Sequence, residues 1–493
     1  MTRLTTPSYP RWTRTLLVLA LLILGAEPAS AQQSRNVTLL SHMDLYSMAG
    51  YSSCWSYIHS DGREYAVEFS RSGASIVRLA DPQNPVEVAF FNLPDSEWHE
   101  GRQYQHYFYI TTEFVNNYNP GGLTILDMAD PEHPRRISNF DSPILWSHTI
   151  EIDTARGFLY TPGAAGTGPS GNIVQGLFIL SLANPENPTV IAVYGDEAPN
   201  YTHTIHVRGT RGYASMQNQG TVRILDLTNP AQPSLLAEIQ TPAGVEPGGD
   251  RTLFRRTHSA WESADERFLY VSDETSPLGV YVYDIQNLAN IQRVYTFEGM
   301  PPRSIGHDPV VRGNRLFLSY YTTGARVYDI SNPAWPVEIG YYDTYDGRDG
   351  GFHGCWEVAP LFPSGIFVAS DMETGLYVFR LDATYGIVRG TVRKGPNGPP
   401  VAGALVRQAG SSASTVSFSD GRYALAVTPG SNVTLNTTLF GYDPLSKSLA
   451  VTAGSDRPLD LPLRASDAGS ISGVVRGTPG SPTLNEAELE ITG

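Results

Sequence analysis

Five histidines recur along the chain at intervals of 45 to 55 residues: His99, His148, His203, His258 and His307. Neutral imidazole is a common ligand of zinc and related transition ions, and carboxylates complete many such sites. Glu113, Asp273, Glu274, Asp371 and Glu373 supply carboxylates in the same repeating stretch of chain, so convergence of the two sets would hold a divalent metal ion. The competing reading is that each ring is inherited with the repeat and hydrogen-bonds to a neighbouring backbone or carboxylate. The acidic residues have a similar alternative as solvated turn residues, with Asp273-Glu274 capping its own loop. Cys54 and Cys355 are the remaining reactive side chains. A Cys–His nucleophile pair is disfavoured because an exported thiol tends to oxidise. No G-x-S-x-G elbow, H-E-x-x-H, phosphate loop or dinucleotide fingerprint is present.

The element that must position the histidines is a repeat. ARVYDISNPAWPVEIGYYD, ending at Asp343, recurs as SIVRLADPQNPVEVAFFNL from Ser75, LTILDMADPEHPRRISNFD from Leu123, LFILSLANPENPTVIAVYG from Leu177, VRILDLTNPAQPSLLAEIQ from Val222 and, more loosely, VYVYDIQNLANIQRVYTFE from Val280. Each reads as a strand, a turn opened by Asp or Asn before Pro, and a returning strand. A second hairpin precedes each, as in THSAWESADERFLYVSDE, giving four short antiparallel strands per unit. Such self-similarity argues for a β-propeller over a sandwich. Unit starts at Cys54, His99, His148, His203, His258, His307 and Cys355 predict seven blades. The first strand of a blade lies nearest the axis, so the five histidines are expected to form a partial ring around one mouth of the channel. Loops between second and third strands bring the carboxylates to that same face. The last unit stops after three strands, and the segment from Asn36 is expected to supply the fourth and close the ring.

Composition places this architecture outside the cytoplasm. Arg3, Arg11 and Arg14, the apolar run Leu16 to Leu24 and the small-residue site Ala29-Ser30-Ala31 form a secretory signal over 1–31. That run is about half the roughly 20 residues needed to span a bilayer, and no later segment is longer. Loss of 1–31 removes three arginines and Glu27, moving the formal charge from −15 to −17. Neutralising phosphates needs a basic face, so the overall acidic balance argues against nucleic acid or anionic lipid as the main partner. If Cys54 opens the first blade and Cys355 the seventh, ring closure makes them neighbours, and a Cys54–Cys355 disulfide is expected; two separately buried thiols are the alternative.

The repeats resemble those of the LVIVD-repeat seven-bladed propellers of secreted bacterial proteins, in particular the choice-of-anchor B family, through SHTIEID, YTHTIHVRG, GHDPVVRGNRLF and the stretch from Tyr341 to Arg380. The likeness covers 36–381 and implies an extracellular or cell-surface location. Cys54 and Cys355 depart from the pattern, where small or aliphatic residues are expected. Residues 385–465, with an opening G-x-V, SDGRYAL at Ser419 to Leu425 and Phe440-Gly441-Tyr442, resemble the carboxypeptidase regulatory-like domain, a transthyretin-like β-sandwich without protease chemistry. A second copy is expected to begin at Gly469 and run to Gly493 as a truncated sandwich. The fold class is therefore all-β. The expected function is a surface binding, adhesion or scaffold module that meets a protein or glycan at the propeller's loop face. The alternative is a metal-dependent hydrolase or lyase using the histidine face.

Overall fold

Strand burial follows the hydrophobic pattern of the repeats. Second strands such as Tyr107–Thr112, Phe268–Asp273 and Ile366–Asp371 are buried along their whole length. Fourth strands such as Val86–Asn92 and Ser234–Gln240 are partly or fully exposed over most of their length. This gradient is that of sheets packed face to face around an axis, with inner strands enclosed and outer strands at the rim. The computed structural model describes residues 33–113, 122–140, 144–195, 201–245, 253–254, 256–275, 279–297, 304–382 and 384–466. The chain divides into two units, Met1–Ala383 and Thr384–Gly493. The expected signal segment and second sandwich lie outside the described residues.

Among the described residues of the first unit, besides the two-stranded pair Gly244–Val245 and Leu253–Phe254, seven antiparallel sheets of four or five strands succeed one another along the chain, with strands paired in order from the axis outward. They occupy 51–92, 99–140, 144–194, 204–240, 257–296 and 309–342, and the seventh combines 355–381 with Val37–Met43. Asp and Asn at the hairpin turns act as expected. Asp81 accepts from the amide of Gln83, Asp130 from Glu132, Asn229 from Ala231 and Asn287 from Ala289, so each turn is pinned by its own side chain. A register shift lies between the third and fourth strands of every sheet, at Ile76/Val77, Ile224/Leu225 and Val327/Tyr328 for example. Such bulges increase local twist and bend the outer strand.

The N-terminal strand closes the ring. Val37–Met43 pairs antiparallel with Gly375–Leu381 and carries the same bulge, between Leu39 and Ser41. Just ahead of it, Ser34–Arg35 extends the sixth sheet by pairing with Tyr341 and Tyr342. Arg35 Nη2 bonds Glu338 Oε1 at 2.7 Å, and Asn36 Nδ2 donates to Ile339 O at 2.7 Å. One short segment therefore fastens two neighbouring sheets from the opposite end of the chain.

The second unit is a two-sheet sandwich. One sheet orders Arg422–Val427, Gly386–Lys394 and Asp456–Pro458, with Leu461–Leu463 also paired to Gly386–Lys394; the other orders Ser414–Val416, Leu405–Gln408, Gly430–Thr438 and Leu445–Val451. Val388, Val406, Tyr423, Leu425, Leu435 and Leu461 meet in its core. Among the described residues, no helix is long and apolar enough to cross a membrane.

Candidate metal centre

In the third and fifth sheets the inner strand begins where its ladder is interrupted. Thr257–Glu262 has a register shift between Thr257 and Ala260, with His258 inside it. His148 lies in the gap between Ile144–Trp146 and Glu151–Asp153, two strands that share the partner Phe158–Thr167. A ladder that lets go at this point frees the side chain to turn toward the axis. Gly163 makes room for it: its φ is +57°, and a Cβ there would come 2.8 Å from the Cβ of His148.

Four of the five histidines come together. Ring centroids of His148 and His203 are 4.2 Å apart, those of His203 and His258 4.5 Å, and those of His258 and His307 4.1 Å. All four are buried, as is Glu274. Two overlapping sets, His148, His203 and His258, then His258, Glu274 and His307, each present ligand atoms within 4.8 Å of one another. Ligand atoms on one ion with bonds of about 2.1 Å stand at most about 4.2 Å apart, so either set is within a side-chain adjustment of coordination. The His148 and His203 Nε2 atoms lie 3.2 Å apart. In the absence of an ion, one must donate to the other; on a tetrahedral ion both lone pairs point inward at about 3.4 Å separation.

Carboxylates surround the rings. Glu113 Oε2 is 3.0 Å from His148 Nδ1, Asp308 oxygens are 3.3 and 3.2 Å from the Nδ1 atoms of His258 and His307, and Glu274 Oε1 is 3.8 Å from Nε2 of both. Tyr321 donates to Glu274 Oε1 at 2.7 Å, and Tyr201 OH is 3.3 Å from His203 Nδ1. Carboxylates behind imidazoles fix ring orientation and strengthen ligand basicity. Burial, reinforced by the imidazoles of His148, His258 and His307, holds His203 well below its ordinary pKa and thus neutral. Burial also opposes charge on His258, yet Glu274 and Asp308 outweigh it and raise that ring to about 8. The same field favours any cation placed among the rings.

The fifth histidine does not join. His99 is turned into its blade, with Nδ1 3.3 Å from Thr111 O and Nε2 3.4 Å from Arg71 O, and burial lowers it to about 4. Its neighbour Trp98 instead stacks on Trp356 at 4.3 Å, and Trp356 contacts His307 at 4.3 Å. Of the carboxylates expected on this face, Glu113 and Glu274 meet the rings, whereas Asp273, Asp371 and Glu373 serve their loops. Asp273 accepts from the amides of Arg256 and Thr275, Asp371 from the Thr344 hydroxyl, and Glu373 from the Gly354 amide and His353. Asp308, Tyr321 and Tyr201 were not foreseen; the His307-Asp308 pair in SIGHDPV was the available signal for the first.

The expected disulfide is not formed. Cys54 and Cys355 are free and buried, and each Sγ lies 3.9 Å from the same Glu357 carbonyl oxygen. Closure does make them neighbours, but both thiols fill the blade starts as small apolar side chains.

Comparison with known proteins matches two family models. Residues 387–464 match the carboxypeptidase regulatory-like domain, and 310–344 match the LVIVD repeat. No curated protein matches the chain. Among solved structures, the periplasmic gluconolactonase of Pseudomonas aeruginosa is similar at 14% identity and a TM-score of 0.48, over 67% of this chain and 92% of that one. The Cps50 (Swd1) β-propeller domain from Myceliophteria thermophila is similar at 11% identity and a TM-score of 0.43, over 67% and 97%. A protein from Lactobacillus plantarum is similar at 10% identity and 0.43, over 88% and 99%.

Proposed function

We propose that the chain is a secreted or cell-surface binding module of the choice-of-anchor B kind, and that its loop face presents a transition-metal ion to a protein or glycan ligand. The carrying observation is the run of four buried imidazoles from consecutive blades, with two donor sets inside 4.8 Å. His148, His203 and His258 would hold the ion, with His307 and Glu274 as the overlapping alternative set. Imidazole-rich donors suit zinc or copper rather than calcium or magnesium, which take oxygen ligands. An acidic chain with an export signal and a spacer sandwich fits a surface role.

A metal-dependent hydrolase or lyase is the second reading, and one feature favours it. Three imidazoles leave a coordination position open, as catalytic sites do, while Asp308 and the Tyr321 hydroxyl stand beside the rings as groups able to hold a proton. Metal analysis of the purified chain tests the shared premise. About one equivalent of transition metal, lost on His203→Ala with His258→Ala, supports it. A chain that is metal-free as purified and takes up neither Zn²⁺ nor Cu²⁺ on titration sinks both readings. Turnover of chromogenic esters or phosphoesters by the loaded chain then selects the enzyme over the binding module.

A further inference from the structure

The inner strands carry a second constellation three residues beyond the histidines. Arg102, Glu151, His206 and Trp261 follow His99, His148, His203 and His258 at that offset, which at about 3.3 Å per residue places them roughly 10 Å farther along the channel. There the channel widens into a funnel of about 520 Å³, within the range of small-molecule sites. Its wall joins Trp55, Arg102, Gln103, Glu151, His206 and Trp261.

These groups are held in a fixed order. The Arg102 guanidinium lies 3.6 Å over the Trp55 ring, and the His206 ring stacks on Trp261 at 3.7 Å. Glu151 stands between the two cation–indole pairs, with Oε2 3.7 Å from Arg102 Nε and Oε1 3.0 Å from His206 Nδ1. Glu357 accepts from Arg102 Nη2 at 3.4 Å, and Glu262 faces His206 Nε2 at 3.2 Å. Gln103 is fixed by the backbone of Ile58, which donates to its Oε1 and accepts from its Nε2, both at 2.8 Å. Glu262 and Glu151 outweigh burial and raise His206 to about 9, so it is a cation at neutral pH.

Two cations interleaved with three carboxylates, each already facing an opposite charge, select against most ligands. An anion meets Glu151 and Glu357, and a cation meets Arg102 and His206. Either would have to displace an existing partner and leave a buried charge alone. A wholly apolar body would strip solvent from these ions without replacing it. Hydroxyl groups both donate and accept, so they can join each carboxylate or cation without breaking a pair. A pyranose adds an apolar C–H face for the indole walls.

We propose that this funnel is a binding site for a neutral sugar, separate from the histidine mouth and independent of whether a metal binds there. Isothermal titration of the full chain with a panel of neutral mono- and disaccharides, uronic acids and free amino acids tests it, with intrinsic tryptophan fluorescence as a second readout. The expected result is saturable binding of at least one neutral sugar, weakened tenfold or more by Glu151→Gln and by Trp261→Ala. Trp261→Phe, which keeps an aromatic face, should retain most of the affinity, and Leu236→Ala on the exposed rim of the fourth sheet should leave it unchanged. Melting curves confirm that each variant is folded. The proposal is overturned if no neutral sugar binds, if uronic or amino acids bind in preference, or if folded Glu151→Gln and Trp261→Ala chains bind as the parent does.

Discussion

His203 and His206 belong to one stretch of the fourth sheet, just ahead of and within Thr204–Arg208, and their rings are driven in opposite directions. His203 stands among three other imidazoles and is held neutral. His206 stands between Glu151 and Glu262 and is raised to about 9. Both are buried deeply enough for desolvation to oppose charge, so the sign is decided by the neighbours that each blade contributes. A neutral imidazole offers a lone pair and serves as a ligand; a charged one offers only donors. The two ends of the same channel therefore present different chemistry, lone pairs at one and fixed charges at the other, which is the basis of the two proposals.

The comparison breaks most completely if the ring opens. Deleting 32–46 removes the fourth strand of the seventh sheet together with the Arg35 and Asn36 ties to the sixth. We expect a loss of more than about 5 kcal/mol, enough to abolish a cooperative melt and both ends with it. A deletion that melts like the parent contradicts this closure.

Arg102→Met sharpens the comparison instead. It takes the cationic partner from Glu357 and leaves Glu151 with His206 alone, and removing one partner of a buried ion network costs about 3–5 kcal/mol. Metal uptake at the histidine end should survive in whatever fraction folds. Equal loss of stability and metal would show that the two ends are one coupled unit.

Titration separates them further. Below pH 6.5 His206 is protonated in folded and unfolded chains alike, and its contribution to stability is fully present. From 6.5 to about 9 only the unfolded chain releases the proton, so stability falls by about 3 kcal/mol as pH rises through this window. His99, lowered to about 4, works the other way: its contribution is complete above pH 6.5 and drains as pH falls toward 4. Urea unfolding across pH 6 to 9.5 should show the alkaline loss in the parent and a clearly smaller one in His206→Gln, where His258, raised to about 8, still contributes. A parent profile that is flat to pH 9.5 contradicts the assignment.

The smallest effect is expected at the cysteines. Cys54→Ala or Cys355→Ala should change stability by roughly 1 kcal/mol or less, with no dependence on reductant, because no bond is lost. Alkylation after denaturation without reductant should label both thiols; an unlabelled pair would restore the disulfide.

Much of the fold was legible because the repeat states it many times. The Asp/Asn-Pro turns mark each hairpin, and the segment from Asn36 was recognisable as a missing fourth strand by its likeness to the others. The site was legible only in part. Spacing gives the position of a histidine along a blade but not the direction of its ring. At the second blade Trp98 takes the axial place by stacking on Trp356, and His99 turns to the Thr111 and Arg71 carbonyls. Asp371 and Glu373 lie at loops of the expected kind, yet local amides and hydroxyls satisfy them first. Arg102, Glu151, His206 and Trp261 share no residue type, so a search for repeated identity passes over them. The constant offset of three from the histidines was the signal, and it becomes meaningful only when the inner strands are known to line one channel.

The most direct test of the account is anomalous diffraction from crystals of the full chain grown with equimolar Zn²⁺ and measured on both sides of the zinc absorption edge. The account predicts one strong peak about 2 Å from an imidazole nitrogen of His258, shared with His148 and His203 or with Glu274 and His307. Crystals with no peak among these rings, or with zinc bound only elsewhere on the chain, would contradict it.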